Sequence, residues 1–320
     1  MNILVVLASY NGEKYIKEQI NSILNQKDVN VTLRIFDDCS SDSTIDVINS
    51  IKDVDSRVEV IKNITQSGSA AKNFLISLCS LKDFDYTKFD FIALSDQDDL
   101  WLPEKLYRAI NELTNQNADL YMSNLIMWEE ESNKNTLIKK NYKQKKFDFL
   151  FEGGSAGCTY VFSVNFYVIL TNNVSKVGLD EWKYLSHDWL IYFLARLNCI
   201  KVFIDDQAYI HYRIHKNNVH GQLNKNSLSS LRKRISYVLS GWYNHQINGF
   251  INFLDPKSIE YRIYLDYNDN WFSRLYVLLK YNFQLMRSKK KFIKFFILSL
   301  IGFKKKKFKR HSLMLVDSKL

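Results

Sequence analysis

Short apolar runs alternate with helical spacings along the first half of the chain. Residues 3–8 are aliphatic without a break, which predicts a strand buried on both faces. In 13–26, Tyr15, Ile16, Ile20, Ile23 and Leu24 recur at three- and four-residue intervals and predict a helix. The same reading gives strands over 31–36, 58–61, 89–94 and 120–123. It gives helices over 44–51, 70–81 and 103–115. Asp42 or Ser43 can cap the second helix, and Pro103 suits the first position of the last.

A β-α-β-α order of this kind predicts a mostly parallel sheet with helices on both faces, a Rossmann-like α/β fold. Such sheets bind ligands at the carboxyl ends of their strands. Polar clusters fall at those ends: 9–12, 37–42 and 96–99. No GxGxxG or Walker A sequence is present, so the usual dinucleotide and P-loop cradles are missing.

Beyond residue 125 the pattern loosens. Residues 129–146 form a polar insertion, and the glycines of 153–157 form a loop before a strand over 158–162. A helix is expected over 187–197 and strands over 200–204 and 209–213. From about 223 only helical spacings remain, rich in Lys, Tyr, Phe and Leu. A boundary near 221–228 therefore divides an α/β domain, 1–221, from a helical, basic extension, 222–320.

Charge sharpens that division. The 320 residues carry a formal net charge of +10. Residues 1–221 hold 24 basic and 29 acidic side chains, while 222–320 hold 20 basic and 5 acidic. The hydrophobic share, 46%, supports a sizeable core and excludes disorder as the main state. Cys39, Cys79, Cys158 and Cys199 contain no CxxC pair and read as buried free thiols of a reducing compartment. The N-terminal apolar run lacks a basic flank and reads as a strand, not a signal peptide. The longest apolar candidate for a span, 292–303, is 12 residues long and interrupted by Lys294, too short to cross a bilayer.

The strongest chemical signal is Ser95-Asp96-Gln97-Asp98-Asp99-Leu100-Trp101-Leu102-Pro103, three carboxylates between a strand and a helix start. Their mutual repulsion favours a divalent cation, and carboxylate oxygens suit Mg²⁺ or Mn²⁺ shared with substrate phosphates. An EF-hand is excluded because Trp101 stands where its loop needs glycine. Asp37-Asp38 at the second strand end can accept hydrogen bonds from a base or ribose, although helix capping also accounts for part of that segment. Tyr10, in Ala8-Ser9-Tyr10-Asn11-Gly12, can stack on a base, and any strand-to-helix turn can look similar.

In this order the motifs resemble the family 2 inverting glycosyltransferases, which have the GT-A fold. The matching segments are S-Y-N-G-E, D-D-C-S-S-D-S-T, S-D-Q-D-D-L-W-L-P-E-K-L, H-D-W and Y-R-I-H-K-N-N, spread over roughly residues 1–221. The third and fourth of these, with Gly157-Cys158-Thr159, look most like the rhamnosyltransferase-like branch. The resemblance implies a metal-dependent transfer of a sugar from a nucleotide-diphosphate donor to a growing bacterial surface glycan, on a lipid carrier. dTDP-rhamnose is the favoured donor and a UDP-hexose the next.

The resemblance also implies roles. Asp38 holds the base with Asp37 beside it, and Ala8, Tyr10, Asn11, Lys72, Asp96 and Gln97 complete the nucleotide site. Ala8 stands where Thr is common. Asp98 binds the metal with His215, and Arg213 contacts the diphosphate. Asp188 is the catalytic base. His187 orients it or touches the acceptor, and Asp99, Trp101, Gly157 and Trp189 stand near the sugars. A general base and a stabilised diphosphate leaving group are what an inverting transfer requires.

The tail carries a different signal. Residues 287–310 place an apolar centre between two lysine clusters, a composition suited to an anionic membrane surface. The expectation is a cytoplasmic protein, peripheral on the inner face of the membrane. A helical bundle with solvated lysines, forming a homo-oligomer, is the plainer alternative. A sugar-phosphate nucleotidyltransferase would need a glycine-rich N-terminal phosphate loop, and nucleic acid sits poorly with the acidic strand ends.

Overall fold

The computed structural model describes residues 1–175, 185–215 and 238–302, with 232, 235 and 236 besides. The expected domain boundary near 221–228 and the second lysine cluster lie outside the described residues.

One nine-stranded sheet organises the chain, in the order β3-β2-β1-β4-β8-β6-β9-β5, with β7 paired to β6. Its strands are β1 (Asn2–Ser9), β2 (Asn30–Asp37), β3 (Val58–Lys62), β4 (Phe91–Ser95), β5 (Leu100–Trp101), β6 (Leu120–Glu129), β7 (Lys134–Ile138), β8 (Val161–Ser163) and β9 (Val202–Arg213). The first four pair in parallel, with β1 central. Beyond β4 the sheet turns mixed. β8 runs antiparallel to β4 and β6, and β9 runs parallel to β6. The mostly parallel expectation thus holds for the half that carries the first polar loops.

Ten helices flank the sheet among the described residues: α1 (Ile16–Leu24), α2 (Thr44–Lys52), α3 (Ala70–Ser80), α4 (Lys105–Asn115), α5 (Val164–Val174), α6 (His187–Leu197), α7 (Trp242–Phe250), α8 (Ile259–Asp269), α9 (Trp271–Tyr281) and α10 (Lys289–Ile301). The alternation of β1 explains how they divide. Ile3, Val5 and Leu7 pack with α1, α2 and α4 on one face. Leu4, Val6 and Ala8 pack with α3, α5 and α6 on the other, and Phe250, Ile263, Tyr264, Val277 and Phe292 from the C-terminal helices join that same core.

Several details differ from the sequence expectation. The polar insertion is a hairpin, since β7 pairs back onto the end of β6. The two strands expected over 200–213 are one strand, β9, which keeps its pairing with β6 through register shifts. Asp42, not Ser43, caps α2, its Oδ1 accepting from the Thr44 amide at 3.0 Å. Cys39 and Cys199 are exposed, not buried, and all four cysteines are free thiols. No helix among the described residues is long and apolar enough to cross a membrane.

Candidate functional site

The loops after β1 and β2 are stitched together at the carboxyl edge of the sheet. Asn11 Oδ1 accepts from the Ser41 amide at 2.8 Å, and the Gly12 amide donates to Thr44 Oγ1 at 2.7 Å. Asn11 adopts a φ of 48°, a left-handed turn that asparagine tolerates. Asp37 is buried and accepts from Ser9 Oγ at 3.0 Å and the Ser40 amide at 2.9 Å, so its carboxylate shapes the loop. Asp38 is held by a second loop. Its Oδ1 accepts from the Ser67 amide at 2.6 Å and Asn63 Nδ2 at 2.8 Å, and its Oδ2 accepts from Ser67 Oγ at 2.7 Å. Ser67 and Asn63 were not singled out from sequence.

Gln97 clips the β4 loop to the β1 loop. Its Oε1 accepts from the Tyr10 amide and its Nε2 donates to the Tyr10 carbonyl, each at 2.9 Å. That fixed backbone leaves the Tyr10 ring exposed, able to stack on a planar ligand. Ala8 is buried beneath it in the core, and Lys72 sits in the first turn of α3, whose start Ser69 caps.

The acidic turn meets the end of β9. His215 Nε2 lies 2.8 Å from Asp98 Oδ2, joining two residues 117 positions apart. Tyr15 supports the imidazole, with ring centroids 4.9 Å apart. Asp96 is pushed up to about 7, first by burial and then by the charges of Asp98 and Asp188. Three carboxylates from two distant segments therefore share one electrostatic environment. This donor set, oxygen from Asp98 and nitrogen from His215, fits a divalent cation such as Mn²⁺ or Mg²⁺.

Asp188 stands in the first turn of α6. Its Oδ1 accepts from Ser186 Oγ and, at 2.7 Å, from the Trp189 amide. Gly157 passes so close to His187 that a Cβ there would come within 2.5 Å of His187 Nε2. The imidazole stacks on Phe74 at 4.5 Å, so Gly157 and His187 do meet beside Asp188.

Four expected contacts are corrected. Arg213 is fully buried, and its guanidinium donates to Glu18, Glu130 and, at 3.0 Å, the Asp98 carbonyl. It braces the acidic turn through these contacts. Asp99 is also fully buried, accepting from the Arg213 amide at 3.3 Å. Trp101 lies in the core with the Lys105 ammonium 3.3 Å over its ring. Trp189 is buried against Trp242 and Phe250 and donates through Nε1 to the Phe149 carbonyl at 2.7 Å. None of these three side chains reaches a sugar.

Residues 4–170 match the model of glycosyl transferase family 2. Over 258 residues the chain is 34% identical to the dTDP-rhamnosyl transferase RfbG of Shigella flexneri, covering 79% of this chain and 86% of the relative. It is 35% identical over 123 residues to the UDP-Glc:alpha-D-GlcNAc-diphosphoundecaprenol beta-1,3-glucosyltransferase WfaP of Escherichia coli, covering 38% of this chain and 45% of the relative. Among solved structures, S. aureus TarS 1–349 in complex with UDP superposes with a TM-score of 0.54 at 15% identity, over 95% of this chain and 89% of that one. The mannosyltransferase PcManGT from Pyrobaculum calidifontis, in complex with GDP-Man and Mn²⁺, gives 0.51 at 12% identity, over 94% and 85%. At those identities the solved structures speak to the fold alone.

Proposed function

The chain belongs to glycosyl transferase family 2, with a GT-A fold, and from that premise we propose that it moves rhamnose from dTDP-rhamnose to a hydroxyl of a growing surface glycan. The observation that carries the catalytic reading is the meeting of Asp98 with His215 beside Asp96, at 2.8 Å, with Asp188 near enough to raise Asp96. The 34% identity to a dTDP-rhamnosyl transferase supports the donor. A UDP-hexose is the second reading, supported by 35% identity to a UDP-Glc transferase over 123 residues. The acceptor named for that relative is a diphosphoundecaprenol, and a lipid-linked acceptor at the cytoplasmic face of the membrane is proposed here too.

The chemistry follows from the side chains. The base of the donor lies against the Tyr10 ring and the loops that hold Asp38. Its diphosphate lies toward Asp98 and His215. A bound Mn²⁺ or Mg²⁺ would stabilise the charge of the departing diphosphate. Asp188 takes the proton of the acceptor hydroxyl through Oδ2 as the acceptor oxygen attacks the anomeric carbon. The bond from that carbon to the diphosphate oxygen breaks, and the configuration inverts. Residues 1–221 are thereby assigned the chemistry, and 222–320 the attachment.

A panel of nucleotide-sugar donors tests this, with Mn²⁺ present and nucleotide-diphosphate release as the readout. dTDP release from dTDP-rhamnose, increased by acceptor, is expected. Pyrophosphate release from a nucleoside triphosphate and a sugar phosphate, with no diphosphate release from any donor, would overturn it.

A further inference from the structure

The C-terminal helices present an apolar surface that their own core does not need. Along α9 the exposed residues Phe272, Tyr276 and Leu279 fall at i, i+4 and i+7, and Phe283 continues the row. Phe272 is 77% exposed and Leu279 61%. Their inward counterparts, Val277 and Leu278, are fully buried. On α10, Phe292, Phe295 and Ser299 face the core, while Ile293, Ile297 and Ile301 are exposed. Scattered exposed apolar residues are ordinary. Two rows on neighbouring helices mark an interaction surface. Phe283 joins them, its ring packing on Phe292 at 5.1 Å with the Lys289 ammonium 5.6 Å away.

Charge selects the occupant. Residues 271–302 contain seven Arg and Lys and no Asp or Glu. Arg274 and Arg287 point inward and are buried. Lys280, Lys289, Lys290 and Lys294 are exposed beside the apolar rows. A protein partner core selects against lysine, whereas lysine next to exposed Ile, Leu and Phe suits anionic headgroups over acyl chains.

We infer that the outward faces of α9 and α10 dock on an anionic lipid bilayer and that Arg287 ties this docking surface to the acceptor side of the active site. Arg287 opens α10. Its guanidinium donates to the carbonyls of Gly153 at 2.6 Å and Gly154 at 2.7 Å, and pairs with Glu152 at 3.3 Å. Lys291, one turn on, reaches Glu152 at 3.1 Å. The Gly153 backbone packs directly on the start of α6, where a Cβ would lie 3.3 Å from Trp189 Cα, the residue after Asp188. The bilayer contact and the proposed base are thus one loop apart, a placement suited to a lipid-linked acceptor. This inference rests on the proposed transfer only for its purpose, not for the binding.

Co-sedimentation of the full chain with vesicles tests it. The probes are phosphatidylcholine vesicles with and without a third of phosphatidylglycerol. The wild type is expected to bind the anionic vesicles and to leave the neutral ones. Lys290→Gln with Lys294→Gln should lower partition about thirtyfold, since each basic group near the surface adds roughly a factor of five. Phe272→Glu with Leu279→Glu should lower it at least as far, while diphosphate release in solution stays at the wild-type rate. That retained rate shows the variants are folded. Absence of wild-type binding to anionic vesicles overturns the inference. So does binding at the wild-type level by both variants, or a dimer in solution that Phe272→Glu dissociates without any vesicle binding. Failure of every donor in the panel would sink the transferase reading and leave the vesicle result standing.

Discussion

Arg213→Lys separates a bracing role for Arg213 from a phosphate-binding one. The guanidinium sits between the rings of Tyr15 and Trp128, at 4.5 and 4.4 Å, and donates to three acceptors. A lysine ammonium cannot reach three acceptors spread in one plane. Glu18 and Glu130 are nearly half exposed and recover water when released, so each pair counts for no more than about 1 kcal/mol. Leaving the Asp98 carbonyl without its donor costs about 1 kcal/mol. Lost stacking on the two rings adds roughly 0.5 kcal/mol. The sum is at most about 3.5 kcal/mol, and for a chain of this size, with an unfolding entropy of about 0.7 kcal/mol/K, that lowers the melting midpoint by about 5 °C. Scanning fluorimetry reads the midpoint, and calorimetry with nucleoside diphosphate at saturating Mn²⁺ reads the affinity. A lower midpoint, a higher Mn²⁺ requirement and an affinity within about threefold are expected, because the variant loosens the turn that carries Asp98. An unchanged midpoint with a tenfold loss of affinity, about 1.4 kcal/mol, would refute the bracing role.

Three further outcomes follow from the same geometry. Asp188→Asn should lower kcat about a thousandfold and leave donor binding by calorimetry within about twofold, and a variant turning over at wild-type rate removes Asp188 as the base. His215→Ala should raise the Mn²⁺ concentration for half-maximal rate about tenfold or more, and an unmoved titration detaches His215 from the cation. Asp96, held at about 7 by burial, Asp98 and Asp188, keeps a proton in the folded protein that the unfolded chain releases from its ordinary 3.8 upward. Its contribution to stability is therefore present at low pH and lost as pH rises toward 7. The midpoint in EDTA should fall through that window more steeply than in Asp96→Asn, and identical slopes would contradict the shift.

Period and order made the parallel half legible. Residues 3–8, 31–36 and 58–61 each lie inside an observed strand, because uninterrupted aliphatic residues have few other places to go. The helix over His187–Leu197 matches to the residue, since Ser186 gives it a cap that accepts from the Trp189 amide. Asp98 and His215 were assigned to one cation by motif, and they lie together. What sequence could not convey was direction. Trp101 and Trp189 stand beside acidic helix starts, yet both rings turn into the core, which local spacing does not encode. Arg213 sits in a motif beside His215, but its burial depends on Glu18 and Glu130, from α1 and the β6 hairpin. Helix α5 escaped notice because Val164–Val174 is β-branched and apolar with no clean face, although Ser163 caps it at the Phe166 amide. The Arg287–Glu152 tie spans 135 positions and left no local trace.

That tie bears on how separable the two parts of the chain are. Composition divides them sharply at 221–228, and the packing does not. Trp189 and Phe193 of α6, the helix that carries Asp188, stack on Trp242 and Phe250. Tyr264 lies parallel to Phe193 and donates to the Leu150 carbonyl at 2.7 Å. A chain ended at residue 240 would uncover Phe149, Phe151, Trp189 and Phe193 as one patch, and each large apolar side chain returned to water costs about 1.5–3 kcal/mol. Four such side chains amount to about 6–12 kcal/mol, comparable to the whole stability of a typical domain. The shortened chain should therefore aggregate on expression and show no donor turnover. A soluble monomer over 1–240 with wild-type diphosphate release would show that the C-terminal helices serve attachment alone. The packing predicts that they serve both, holding α6 in place from one side and meeting lipid on the other.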